Sequence, residues 1–211
     1  MRSHELKRLL DFAGAVAALV VLAPLLMIAS VMIRLAMGSP ILFRQIRLGH
    51  KGEPFLVHKF RTMTQARDAQ GDLLPDERRL TRLGRFLRST SLDELPQLIN
   101  VLRGEMSLVG PRPLLAEYKN LYTPEQWRRH EVLPGMAGPV LSNGRNALGW
   151  EDKFKLDVWY VDSWSVWLDF KILLLTALRV MRREGINAAG YATFPKFEGT
   201  RDSRPRPDVQ E

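Results

Sequence analysis

Two carboxylates stand side by side in Ser91-Leu92-Asp93-Glu94-Leu95-Pro96-Gln97, at the start of a predicted helix. Adjacent acids among guanidinium groups suit phosphoryl transfer. A carboxylate can attack phosphorus or hold a metal while arginines hold phosphate oxygens. Arg88 lies just before the pair. Arg112 follows in Gly110-Pro111-Arg112-Pro113, where rigid neighbours fix it at low entropic cost. Lys59 stands at the end of a predicted strand in Lys59-Phe60-Arg61-Thr62-Met63, and Arg145 in the turn Asn143-Gly144-Arg145-Asn146. Each alone reads as a solvated surface charge. Several lodged in proline and glycine turns read as a phosphate cradle.

Ser91 as N-cap puts both acids in a first helical turn, where unpaired amides and the helix dipole favour negative charge. An aspartate there stays ionised, ready as nucleophile or metal ligand. Ser-x-x-Glu is also an ordinary capping box, whose glutamate only caps. Adjacent helical residues point about 100° apart, so both acids reach one substrate only if it sits over the helix end. No Walker-type loop or dinucleotide fingerprint is present. The chain has no cysteine, which excludes disulfides, zinc-thiolate sites and cysteine nucleophiles. Its four histidines show no metal-ligand spacing and read as structural or surface residues.

These residues need positioning elements. Ile41 to Gln45 and Phe55 to Phe60 read as strands around the turn Gly49-His50-Lys51-Gly52. Asp76 to Arg88 reads as one amphipathic helix with Leu80, Leu83 and Leu87 on a face. The helix carrying the acid pair ends at Gly104, and Thr123-Pro124-Glu125-Gln126 is a second capping box. Trp150 to Val161 reads as helix. Ser165 to Arg183 reads as a longer one, too interrupted by Asp169, Lys171 and Arg179 to span a bilayer but suited to an interface or a core surface. Trp159, Trp164 and Trp167 form either an interfacial belt or core filling.

Phe12 to Ile33 is uncharged and apolar, long enough to cross a membrane. Pro24 sits mid-run, so a break or kink is expected near Ala23. Arg2, Lys7 and Arg8 precede the run, and Arg34, Arg44, Arg47 and Lys51 follow it. Positive flanks stay on the cytoplasmic side, so a re-entrant helix fits better than a straight span. The 211 residues hold 31 Lys and Arg against 23 Asp and Glu, a formal net charge of +8. That balance suits anionic partners, whether phosphorylated substrates, nucleic acid or an anionic leaflet. The fold class is α+β, mainly helical, with a small hairpin and amphipathic interfacial helices. Residues 1–38 form the membrane element, 39–186 a cytosolic catalytic domain, and 187–211 an extended or disordered tail.

The chain resembles the bacterial monotopic phosphoglycosyl transferases, the polyprenyl-phosphate sugar-phosphate transferases, in their small single-domain form. The resemblance runs from Lys7 to about Thr200. It rests on Lys7-Arg8-Leu9-Leu10-Asp11, Phe43-Arg44-Gln45 with Arg47 and Gly49, Lys59 to Met63, Arg88, Ser91 to Gln97, Gly110 to Pro113, Pro134-Gly135, Asn143-Gly144-Arg145 and Asp157. It implies transfer of a sugar-1-phosphate from a UDP-sugar to undecaprenyl phosphate, with release of UMP, as the first membrane step of glycoconjugate biosynthesis. It implies Asp93 as nucleophile, forming a phosphoglycosyl-aspartate, and Glu94 as partner acid assisting with Mg2+ or a proton, so both acids are candidate metal ligands. Lys59, Arg88, Arg112 and Arg145 would bind phosphate or nucleotide. The implied location is the cytoplasmic face of the bacterial inner membrane, with lipid as partner, downstream glycosyltransferases as consumers of the product, and no nucleic acid.

Two departures are visible. Gly138-Pro139-Val140-Leu141-Ser142 replaces the Gly-Trp-Ala-Gln that members commonly carry, which bears on sugar or base recognition. Ala23 stands where members often have serine before the proline, removing a hydroxyl that could bond the backbone at the kink. Two rival readings use the same residues. One is a membrane-anchored basic binding protein without catalysis, and the other an aspartate-dependent phosphohydrolase.

Overall fold

The computed structural model describes residues 2–142, 148–182 and 196–200. A long helix α1 (Arg2–Met37) leads into an antiparallel hairpin, β1 (Leu42–Leu48) and β2 (Pro54–Phe60), closed by a 3-10 turn over His50–Gly52. Two short helices follow, α2 (Asp76–Arg79) and α3 (Arg82–Ser89). A 3-10 turn over Leu92–Gln97 runs directly into α4 (Leu98–Arg103). Strand β3 (Ser107–Val109) pairs in parallel with β4 (Gly135–Ala137), and between them lies α5 (Pro124–Trp127). Helices α6 (Pro139–Ser142), α7 (Trp150–Ser163) and α8 (Val166–Arg182) complete the mainly helical α+β fold.

Helix α1 lies along the body instead of leaving it. Asp11, Ala15, Ala29 and Ile33 are buried, and Leu19 and Leu26 pack beside them, a stripe at helical spacing that continues across Pro24. Ala15 joins Val57, Leu98, Val101 and Met106 in one core; Ala29 and Ile33 join Phe60 and Leu87 in another. The opposite face exposes Val20, Val21, Met27, Ile28, Val31 and Leu35. The helix continues through Pro24, so of the break or kink expected near Ala23 the break does not occur.

Both ends of α1 are clamped to the same body. Near its start, the Lys7 ammonium donates to Asp169 of α8 and to Val109 O at 3.1 Å. Asp169 also accepts from Tyr160 Oη at 2.6 Å and Trp164 Nε1 at 3.1 Å. Arg8 donates to the carbonyls of Val101 and Leu102, neutralising the C-terminal end of α4. Asp11 accepts from the Leu108 amide at 3.0 Å. At the far end Arg61 donates to the carbonyls of Met37 and Gly38.

Three local expectations change. The stretch 76–88 is two helices: Leu80 pairs with Met63 as an isolated bridge, and Thr81 caps α3 by accepting from Gly84 N. Ser91 has a left-handed backbone (φ 57) and makes no side-chain cap, so the acids sit in a 3-10 turn, not a capped α-helical turn. The parallel pair β3·β4 was not expected. Its strands have only three residues each, too short for alternation to show. Backbone approach fixes it: a Cβ on Gly135 would stand 2.0 Å from Gly110 N.

Two local signals agree with the structure. Thr123 and Gln126 form a full capping box, and α4 ends at Gly104 with φ 81. Trp159 and Trp167 are exposed on α7 and α8 and do not fill a core, whereas Trp164 packs against the core of Val109, Ala137, Tyr160 and Ile172. Lys196–Thr200, within the expected tail, docks on the body without regular structure; Phe197 is buried against Tyr118 and Phe154.

Candidate active site

The site forms where the 3-10 turn carrying the acid pair meets the hairpin. Asn100, fully buried one turn further on, ties these elements together. Its Oδ1 accepts from His58 N at 3.1 Å, and its Nδ2 donates to Leu56 O at 2.7 Å and to Glu105 Oε2 at 2.6 Å. This holds β2 against the acid-bearing turn, so Lys59, beside His58, faces Glu94.

Glu94 is saturated. Lys59 Nζ donates to its Oε1 at 2.9 Å, Arg112 Nη1 donates to its Oε2 at 3.1 Å, and Arg112 Nη2 bonds Oε1. Burial alone would raise its pKa. Arg112 and then Lys59 outweigh burial and hold the carboxyl well below the usual range. The glutamate of the Ser-x-x-Glu pattern therefore braces two cations and does not reach back to cap a helix.

Asp93 is different. Among the described residues no hydrogen bond or ion pair engages its carboxylate, yet it is partly buried beside Glu94. Burial first, and the Glu94 charge second, raise its pKa to about 6, against the opposing pull of Lys59, Arg88 and Arg112. At neutral pH it is still mostly ionised. The pair is thus asymmetric: one acid neutralised by cations, the other open. Arg88, near the end of α3, donates its Nε to Thr62 Oγ1 at 3.1 Å, and its charge is close enough to oppose the rise in the Asp93 pKa.

Arg112 is held from behind. Arg129 Nη2 donates to the Arg112 carbonyl at 2.7 Å. Arg129 in turn is buried on Asp157, with Nε and Nη2 at 3.0 and 2.7 Å from Oδ2. Arg129 carried no sequence signal. Asp157 did, as part of the resemblance, and its place is in this support.

Lys59, Arg88, Asp93, Glu94 and Arg112 therefore meet in one cluster. Arg145 lies outside the described residues. Sequence reading gave no site role to Arg47 or Gln97, which line a small cavity with Lys59 and Arg112. Hairpin register could have found Arg47. Phe43 pairs with Lys59, Gln45 with Val57 and Arg47 with Phe55, so Phe43, Gln45 and Arg47 share the Lys59 face by period two.

As a metal site the cluster offers less than two carboxylates, since both Glu94 oxygens are already bonded to cations. Among the described residues no group of three or more His, Cys, Asp or Glu side chains could hold a metal. Mg2+ binds typically through one or two carboxylates plus substrate phosphates. Asp93 fits that pattern alone.

The bacterial sugar transferase family model matches residues 2–183. The chain belongs to the bacterial sugar transferase family. It is 53% identical over 197 residues to the sugar transferase EpsL of Bacillus subtilis, covering 93% of this chain and 98% of EpsL. A UDP-glucose:undecaprenyl-phosphate glucose-1-phosphate transferase of Caulobacter vibrioides is 42% identical over 183 residues, 81% of this chain and 67% of that protein. A protein of the same description from Klebsiella pneumoniae is 38% identical over 188 residues, 82% of this chain but only 39% of that protein. This sugar transferase thus spans nearly all of EpsL and less than half of the Klebsiella relative. Its α1 is long and apolar enough to cross a membrane, by length and composition.

Proposed function

We propose that this member transfers a sugar-1-phosphate from a UDP-sugar to undecaprenyl phosphate through a covalent intermediate on Asp93. The observation that carries the reading is the asymmetry of the pair. Glu94 is tied up by Lys59 and Arg112, while Asp93 is unengaged, close to cations and mostly ionised at neutral pH. A nucleophile needs a free lone pair and a local field that favours a phosphorylated ligand.

An Asp93 oxygen attacks the sugar-bearing phosphorus. The phosphoanhydride bond breaks, and its electron pair leaves with UMP. A phosphate oxygen of the lipid then attacks the same phosphorus, and the bond to Asp93 breaks to regenerate the carboxylate. Lys59, Arg88 and Arg112 hold the phosphate oxygens, with Glu94 keeping two of these cations in place. Bound Mg2+, with Asp93 as the protein's ligand, would offset the diphosphate charge and favour departure of UMP.

The packing of α1 supports the location. Both of its ends are fixed to one body, by Lys7 on Asp169 and by Arg61 on Met37 and Gly38. Its outer face is apolar, as are Trp167, Phe170 and Leu174 on α8. This supports a monotopic protein whose α1 keeps both of its ends on the cytoplasmic side of the inner membrane. There a water-soluble donor and a lipid-borne phosphate can both reach Asp93 without charge entering hydrocarbon.

Detergent-solubilised protein, Mg2+ and a panel of UDP-sugars without acceptor should give UMP and a mass increase equal to one sugar phosphate, lost in Asp93→Asn. Continuous release of free sugar phosphate would point to a hydrolase. No UMP and no adduct would leave only a binding protein. For the membrane arrangement, single cysteines replacing Ser3 and His50 should react with an impermeant thiol reagent from the same side. Labelling from opposite sides would mean a spanning helix.

A further inference from the structure

Beside the acid pair, the hairpin face encloses a cavity of about 20 Å³ lined by Arg47, Val57, Lys59, Gln97, Arg112 and Pro113. Neither Asp93 nor Glu94 lines it. Its polar lining is rich in donors. Arg47 is a partly buried guanidinium whose bonds go to Gln45 Oε1 at 2.6 Å and Pro113 O at 3.4 Å. Among the described residues no carboxylate pairs with it. Lys59 and Arg112 each keep donors beyond those spent on Glu94. Gln97 is buried to 2% exposure, and its Nε2 has no hydrogen-bond partner.

A fold gains nothing by leaving an amide donor unpaired and two guanidiniums side by side. An orphaned buried donor is destabilising, and like charges repel. Burial and the neighbouring Arg112 lower the Arg47 pKa to about 10, so it remains a cation at neutral pH. Arg47, Lys59 and Arg112 share one engaged acid, Glu94, so the surplus of positive charge, plus a buried donor without an acceptor, is complementary to an anionic oxygen. The volume admits about one oxygen atom, since a single water needs roughly 10–15 Å³ on this measure.

We propose that Arg47 and Gln97, with Lys59 and Arg112, form an oxyanion subsite that takes one oxygen of a phosphate other than the one under attack by Asp93. The subsite deepens the transferase reading and rests on it for its place in the reaction. Backbone geometry pre-forms it. Arg47 bridges to Leu115, and Leu48 N bonds Leu114 O at 3.0 Å, so the strand is fixed to the segment that follows Arg112 and Pro113. Two sources carry the same chemistry, the nucleotide-side phosphate of the donor and the phosphate of the polyprenyl acceptor.

Binding of inorganic pyrophosphate to the full chain in detergent, by calorimetry, tests the subsite without any turnover. Arg47→Gln and Gln97→Leu should each weaken it at least tenfold, with Arg47→Lys losing less. Gln97→Leu should melt no lower than wild type, because it removes an unpaired buried donor; a purely structural glutamine would instead lower the melting temperature and leave affinity alone. Affinities within twofold of wild type for both Arg47→Gln and Gln97→Leu overturn the subsite, even if transfer through Asp93 stands. If transfer fails but pyrophosphate binding falls as stated, the transferase reading fails and the subsite survives. In active protein, a fall in kcat/KM for the UDP-sugar alone assigns the oxygen to the donor, and a fall for polyprenyl phosphate alone assigns it to the acceptor. No change in either, despite weaker pyrophosphate binding, overturns its place in the reaction.

Discussion

Removing the Asp93 charge should separate catalysis from stability. The folded carboxyl titrates near pH 6, above its ordinary value of 3.8, so the ionised form strains the fold above that pH and the strain is relieved as the pH falls through 6. Attack needs the ionised form. UMP release should therefore fall about tenfold per pH unit below 6, and a flat profile down to pH 5 would contradict the assignment. Asp93→Asn should lose at least a thousandfold in UMP release yet melt a few degrees higher by calorimetry. Glu94→Gln should behave oppositely, because it strips the counter-charge from Lys59 and Arg112. A loss of about 1–3 kcal/mol together with lost activity is expected, smaller than for a fully buried pair because Arg112 is 37% exposed. Unchanged denaturant stability would contradict the bracing role. The residue types at this site were legible in sequence, while the division of labour between the two acids came only from the family resemblance and not from the motif itself. Two adjacent acids look alike until Lys59 and Arg112 arrive from distant segments and choose one.

At the scale of elements, Asn100 is the part no pattern announced. It lies inside a short apolar helix, where an asparagine reads as a weak helix former, and only the folded chain shows it meeting β2. Replacing it with leucine leaves His58 N and Leu56 O without their partner. A loss of about 2–4 kcal/mol by chemical denaturation is expected, with reduced activity because Lys59 is no longer held to Glu94. Stability within 0.5 kcal/mol of wild type would remove this role. Elements with strong local punctuation were readable: the hairpin around Gly49 and Gly52, the Thr123 capping box, the Gly104 stop. Those set by distant contacts were not. Leu80 leaves the helical path to pair with Met63, and β3 exists only because β4 lies beside it.

At the scale of the whole molecule, α1 is a slab of the core and an apolar outer surface at once. Its N-terminal clamp is the Lys7–Asp169 pair, both side chains under 15% exposed. Asp169→Asn leaves the lysine without its counter-charge, and about 2–4 kcal/mol should be lost, with faster proteolysis within α1. Equal melting temperatures for the two proteins would mean that the clamp contributes nothing. The sequence by itself determined what is local or additive: an apolar run long enough for a membrane, its positive flanks, the hairpin, and an acid pair among arginines. These depend on composition and on neighbours a few residues apart. Only the tertiary structure decided that Glu94 is the acid engaged by Lys59 and Arg112, that Lys7 and Arg61 anchor the two ends of α1, and that Arg47 and Gln97 line one cavity with Arg112. A charged side chain acts through whatever stands within a few ångströms of it, and here that company comes from segments tens of residues away.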